Sequence, residues 1–161
     1  DGTMQEDAQF KNGKKHGICK WFYSTGQILT AYTYVEGQME GIQRNYFKSG
    51  KVQSEVNAVK NEFEGIYKEY YETGEVRSTV KYVRGKKQGP FKETSTDGKV
   101  VYKVCTYLDN EIDGDYKESH PTGKPKLSGK YIKGKKEGEW KEWDEDGKLT
   151  KRKYKNDAEV K

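Results

Sequence analysis

The sequence predicts an all-β fold, an elongated single antiparallel meander sheet of about 13 short strands built from tandem β-hairpin repeats. Three observations carry that expectation. Glycine recurs in three series with a step of 24 residues, β-branched and aromatic residues alternate at period 2 between the glycines, and no helical periodicity competes. The first series is Gly2, Gly26, Gly50, Gly74, Gly98, Gly123 and Gly147. The second is Gly17, Gly41, Gly65, Gly89, Gly114 and Gly138, and the third is Gly13, Gly37, Asn61, Gly85, Asn110 and Gly134. Each contains a single step of 25 at the same place, and together they absorb 17 of the 18 glycines. Gly129 alone falls outside.

These series divide one repeat domain, 1–161, into a half repeat at 1–12 and repeats starting near 13, 37, 61, 85, 110 and 134. In the half repeat, Met4 takes the place of Ile28 and Phe10 that of Tyr34. Each full repeat opens on the third series, which admits only Gly or Asn, the residues that most readily adopt φ > 0. Its context, as in Tyr34-Val35-Glu36-Gly37-Gln38, is a hairpin turn. The second-series glycine then begins the first strand, at a bulge or a close backbone approach. Aromatics follow it at Trp21-Phe22-Tyr23, Tyr46-Phe47 and Tyr70-Tyr71, and later at Trp140 and Trp143. The first-series glycine follows Asp1, Thr25, Ser49, Thr73, Asp97, Thr122 or Asp146, and a Ser/Thr/Asp-Gly pair is a second turn. The second strand alternates, as in Ile28-Tyr32-Tyr34, Val52-Val56-Ala58 and Val76-Val80-Tyr82.

The pattern drifts towards the C-terminus. The paired aromatics become Thr94-Ser95 and Ser119-His120, and Gly129 and Lys153 replace the apolar residue seen at Val56 and Val80. The last turn, Asn156-Asp157, is shortened. This reads as a fraying terminal cap, with a place where something else packs as the alternative.

Hydrophobic residues make up 31%, charged residues 35%, and mean hydropathy is -1.20, too aliphatic-poor for a thick core. Thirteen tyrosines offset this, because a tyrosine ring buries area while its hydroxyl stays wet. A thin, ordered sheet is expected. Net charge is +5, with 10 Lys+Arg against 11 Asp+Glu in 1–80 and 21 against 15 in 81–161. Cys19 and Cys105 occupy different places in the repeat, which argues against a disulfide or a metal pair. No apolar run reaches the length of a membrane helix. The chain opens at Asp1 in mid-repeat without an initiator Met, so a piece of something longer is expected, and its compartment stays open.

No catalytic residues, metal site or cofactor are expected. His16 and His120 sit at different repeat positions, and a His120–Cys105 pairing across adjacent hairpins is weaker than a surface histidine as an explanation. The glycines are accounted for by turns, so no phosphate-cradling loop is implied. Two binding surfaces are expected instead. One is a basic column, Lys20, Arg44, Lys68, Lys92, Lys117 and Lys141, one equivalent position that is always basic. Such a ladder could grip phosphates or an acidic protein surface. The structural alternative is that each stem covers neighbouring rings and pairs with the adjacent acid, Glu69, Glu93, Glu118 or Glu142. The other surface is the aromatic stripe Phe22, Tyr46 and Tyr70 with Tyr23, Phe47 and Tyr71, whose adjacent rings fall on opposite faces. In a single layer one face must be wet or covered by a partner.

The segments NGKKHGICKWFYSTGQI, EGQMEGIQRNYFKSGKV, KNEFEGIYKEYYETGEV and KGKKEGEWKEWDEDGKL together resemble the variant class of MORN repeats, over essentially the whole chain. Pro90 and Asp115 after the strand glycine, and Pro121 and Pro125 in the fifth repeat, depart from the pattern. The resemblance implies antiparallel hairpins in one sheet, without catalytic activity. It also implies a role like that of bacterial antitoxin components, with scaffolding and anionic phospholipid binding as roles of other MORN proteins. Three readings follow: protein binding, with a toxin as partner; an anionic phospholipid or nucleic-acid binder using the basic column; and a structural or targeting segment of a longer protein. The resemblance favours the cytoplasm, with export or the cell envelope as the alternative.

Overall fold

A computed structural model describes residues 5–161; Asp1, Gly2 and Met4, for which the sequence predicts the first turn and the first strand position, lie outside the described residues. The chain is all-β. A short lead-in comprises β1 (Glu6–Asp7), β2 (Phe10–Lys11) and β3 (Lys14–Lys15). Then come β4 (Gly17–Phe22), β5 (Ile28–Val35), β6 (Gln38–Tyr46), β7 (Val52–Val59), β8 (Glu62–Tyr70) and β9 (Val76–Val83). β10 (Lys86–Thr94), β11 (Val101–Leu108), β12 (Glu111–Ile112), β13 (Gly114–Ser119) and β14 (Pro125–Ile132) follow. The last are β15 (Lys135–Trp143), β16 (Leu149–Lys155) and β17 (Ala158–Val160). Hydrogen-bonding order follows chain order, giving the expected antiparallel meander as a sheet of 15 strands, with β2 and β3 paired separately. The strands beyond the expected 13 are β12, split from β13 at Asp113, and the stub β17.

The third-series turns have positive φ at both central residues, for example 49° at Lys60 and 71° at Asn61. This is type I′ geometry, whose twist matches that of paired strands. The last turn keeps it too, with φ of 51° at Asn156 and 68° at Asp157, so it is not shortened. The missing residue lies in β16, which pairs with β15 without the register shift seen between β4 and β5. That deletion moves the frame by one: Trp140 faces Arg152, so Arg152, not Lys153, takes the position of Val56.

The second-series glycine differs from expectation. Gly41, Gly65, Gly89 and Gly138 lie inside continuous strands, and only Gly17 and Gly114 open one. At Gly41 (φ 82°) three residues of β6, Glu40-Gly41-Ile42, face the single residue Thr33 of β5. The positive φ makes a bulge rather than a strand boundary. Gln43 repairs the broken ladder: its amide donates to the Thr33 carbonyl at 3.2 Å and accepts from the Thr33 N–H at 3.2 Å. Gln43 is therefore buried without an orphaned group.

The residues form two compact units, one running through Val76 with Tyr82–Gly85, the other Arg77–Lys81 with Lys86–Lys161. In each, one sheet face is covered, here called the inner face. The N-terminal unit buries Cys19, Gln43, Ser54, Val56 and Ala58 there. The C-terminal unit buries Cys105, Tyr116 and Trp140, packed by Phe91, Tyr107, Ile112, Leu127, Tyr131 and Tyr154. Tyr131 meets Trp140 edge-on at 4.9 Å between centroids. Lysine stems complete the cover, with the Lys136 ammonium 4.7 Å from the Trp140 ring and Lys103 5.3 Å from Tyr116.

Candidate functional site: the outer sheet face

The basic column lies on the opposite, outer face. In the N-terminal unit the cross-strand row runs Lys20, Ala31, Arg44, Glu55, Lys68. Arg44 donates from Nε to Glu55 at 3.2 Å, and the Tyr70 hydroxyl donates to the other Glu55 oxygen at 2.8 Å. The Tyr70 bond, then Arg44, holds the Glu55 carboxyl below the ordinary range. Burial, reinforced by the Glu55 charge, pushes the Tyr70 phenol up to about 12. Arg44 of the column, Glu55 and Tyr70 of the stripe are thus one connected cluster.

The neighbouring acids do not neutralise the column in the way expected. Consecutive strand residues point to opposite faces, which puts those acids on the inner side. There Glu69 accepts from Tyr67, Glu93 pairs with Arg77 and Glu118 pairs with Lys126. In the C-terminal unit the outer row runs Lys92, Val104, Lys117, Ser128, Lys141, Lys151, with no acid interposed. Glu139 reaches Lys141 at 3.6 Å and Lys151 at 3.5 Å. Among the described residues, Lys92 and Lys117 have no carboxylate within ion-pair distance.

All six stripe aromatics are half-buried. Phe22, Tyr46 and Tyr70 end their strands, while Tyr23, Phe47 and Tyr71 enter the first-series turns and are tied there by backbone bonds. The Tyr23 hydroxyl also donates to the Tyr46 carbonyl of the next repeat at 2.8 Å. These rings are partly structural. What the outer face does expose is aliphatic: Ile18, Ile42 and Ile66 at 51%, 48% and 51%, with Val35 and Val59 at 44% and 40%. Sequence reasoning passed over them, although the recurring Gly-Ile pair at 17–18, 41–42 and 65–66 is a legible signal. Pro90, Asp115 and Glu139 take that position later.

The histidine–cysteine pairing is not assembled as a reactive pair. His120 Nε2 is bonded to the Trp143 carbonyl at 2.9 Å, and Cys105 is buried on the inner face, where desolvation pushes its thiol up. Among the described residues no group of three or more His, Cys, Asp or Glu is placed to hold a metal ion. No helix among them is long and apolar enough to cross a membrane.

Comparison with known proteins adds a family. The model described as "MORN repeat variant" matches residues 15–36, 39–60, 63–84 and 136–156, more than half of the chain. The unmatched stretch between 84 and 136 contains Pro90, Asp115, Pro121, Pro125 and Gly129. No curated protein matches. Among solved structures, TarM has a TM-score of 0.43 at 14% identity, covering 68% of this chain and 20% of that one. A TarM variant from S. aureus in complex with Fondaparinux, alpha-GlcNAc-glycerol and UDP gives the same score and identity, with coverage of 68% and 21%. The GtfA/B complex bound to UDP and GlcNAc has a TM-score of 0.30 at 8% identity, covering 71% of this chain and 22% of that one. This chain spans about a fifth of the length of those chains, and at such scores the likeness says nothing about function.

Proposed function

The chain belongs to the MORN repeat variant family, and from that footing we propose that it is a non-catalytic protein-binding module that docks its partner on the outer face of the N-terminal unit. MORN repeats generally mediate binding to membranes or proteins. The observation that carries the protein reading is the exposed column Ile18, Ile42 and Ile66 beside Lys20, Arg44 and Lys68. A patch of aliphatics repeated at equivalent positions is more than the scattered apolar surface of an ordinary soluble protein. Covering the exposed half of each isoleucine would contribute about 1 kcal/mol. Antitoxin-like neutralisation of a partner toxin is the finer form of this reading, supported by the resemblance of the repeats.

The test is capture of identified partners from the source cell by the whole chain and by variants. Ile42→Asp should weaken capture at least tenfold, about 1.4 kcal/mol, without lowering thermal stability. Tyr46→Ala and Tyr70→Ala should weaken capture too, with Tyr70→Ala also costing stability through Glu55. Undiminished capture by Ile42→Asp would remove this face as the binding surface.

A second reading, an anionic surface such as phospholipid or nucleic acid, is favoured by the row Lys92, Lys117 and Lys141 in the C-terminal unit, of which only Lys141 is held by a carboxylate, Glu139. Affinity for anionic vesicles or nucleic acid should then fall steeply with added salt and with Lys117→Glu. Salt-indifferent binding would rule it out.

A further inference from the structure

Resting on the protein-binding reading, we propose that the occupant of the N-terminal outer face is an amphipathic α-helix of about four turns, with an apolar seam flanked on one side by acidic residues. Five successive strands each contribute one exposed aliphatic side chain: Ile18 on β4, Val35 on β5, Ile42 on β6, Val59 on β7 and Ile66 on β8. Ile18 and Ile42 pair with Thr33 and Asn57, and Val35 and Val59 stand two residues further along those strands. The five side chains of this file therefore form a zigzag roughly 6.7 Å wide that advances ~4.8 Å per strand and ~19 Å in all, as the two edges of a helical seam alternate about its midline. The a/d seam of a helix advances 3.5 residues per contact, ~5.2 Å. The two rulers differ by about 0.4 Å per contact, which side-chain freedom absorbs over five contacts.

An extended peptide fits worse. Side chains on one side of a strand recur every ~6.7 Å, so a strand laid across the file leaves register by the third contact. A strand laid along the sheet's own strands meets only one aliphatic residue of the file. The helix is the secondary structure whose repeat matches.

Charge orients it. Two residues along each odd-numbered partner of the file lie Lys20, Arg44 and Lys68, three bases against the single acid Glu55. Carboxylates on the helix flank above that row meet opposite charge. The opposite border, where Lys14, Glu36, Gln38, Glu40 and Lys60 surround Val35, mixes both signs and sets no preference. In the C-terminal unit Leu108 and Ile132 are exposed at the positions of Val35 and Val59, but Pro90, Asp115 and Glu139 stand where the isoleucines stand. The seam loses alternate contacts there, and the helix site is confined to the N-terminal unit.

The experiment uses the whole chain and three labelled synthetic peptides of about 16 residues. One carries leucine on the heptad seam and glutamate on the flank, one has the same composition scrambled, and one has lysine for glutamate. Fluorescence anisotropy reads binding and circular dichroism reads helix gained on binding. The acidic peptide is expected to bind with a gain of helix, and to lose roughly tenfold in affinity with Ile42→Asp. Ile42→Thr, which keeps a β-branched residue on the strand, should lose less and guards against a folding effect. The double variant Lys20→Glu, Lys68→Glu should reverse the preference towards the lysine peptide. Equal binding of the scrambled peptide, or no effect of Ile42→Asp, overturns the proposal. So does Ile42-dependent binding of phosphatidylserine vesicles with no binding of the acidic peptide. If Ile42→Asp abolishes capture of the cellular partner but the protected segment of that partner is not helical, the protein-binding reading holds and the helix falls.

Discussion

Gly129 shows how much a single absent side chain can decide. It faces the bulge Gly138-Glu139-Trp140, and a Cβ added there would lie inside the Trp140 ring at Cδ2, Cε2 and Cε3. The indole, 2% exposed, fills the place that Val56 and Val80 fill with their own side chains. Gly129→Ala should therefore destabilise the chain by about 1–3 kcal/mol in urea unfolding, and Trp140→Phe in that background should recover part of it. The sequence marked Gly129 as the glycine without a turn, and read its neighbourhood as a fraying cap. It is a packed one, because the compensating residue is 11 positions away on the next strand and alternation alone does not name it. A second residue-scale effect depends on pH. The raised Tyr70 phenol contributes stability in full below its ordinary value of 10, and loses it as pH climbs through about 12. The lowered Glu55 carboxyl contributes above 4.5 and loses its contribution as pH falls through its folded-state value. Tyr70→Phe should flatten the alkaline limb of the melting temperature, and Glu55→Gln should flatten the acid limb and bring the Tyr70 absorbance titration back towards 10.

At the scale of the hairpin, turns are held twice. The Asn61 side chain accepts from the Met39 N–H at 2.7 Å, as Asn110 does from Lys87 and Asp157 from Lys136. Four of the six strand glycines follow a carboxylate that reaches the turn at the far end of its own repeat: Glu40 accepts from Lys60 N–H, Glu64 from Arg84, Asp113 from Lys133 and Glu137 from Asn156. Asn61→Gly keeps the backbone conformation and removes only the side-chain bond, while Asn61→Ala removes both. Urea unfolding should show a loss of about 1 kcal/mol for the first and about 1 kcal/mol more for the second. The turns were legible because φ > 0 admits so few residues. The bulges were not: a glycine before a strand-like run looks the same whether it opens the strand or kinks it, and only the partner strand's register separates the two.

For the molecule as a whole, the ladder links each strand to its neighbours in sequence, so local damage should stay local. Hydrogen exchange of Gly129→Ala should show lost protection in β13–β16 and unchanged protection in β5–β8; a uniform loss would mean that the chain unfolds as one block. The low hydropathy correctly announced a thin sheet. The surfaces were half legible. Equivalent spacing placed the basic column on one face, but period 2 says only which residues share a face, not which face is covered. The cover came from rings and from lysine stems, Lys15 in the N-terminal unit and Lys87, Lys103 and Lys136 in the C-terminal one. In the N-terminal unit it left Ile18, Ile42 and Ile66 on the other face. The clip from each acid to the following turn has one more consequence. Its two halves are about 20 residues apart, within the length of a repeat, so gain or loss of a complete 24-residue module by recombination carries donor and acceptor together. Such an array can change its copy number, and with it the length of partner it can span, without inventing a new joint.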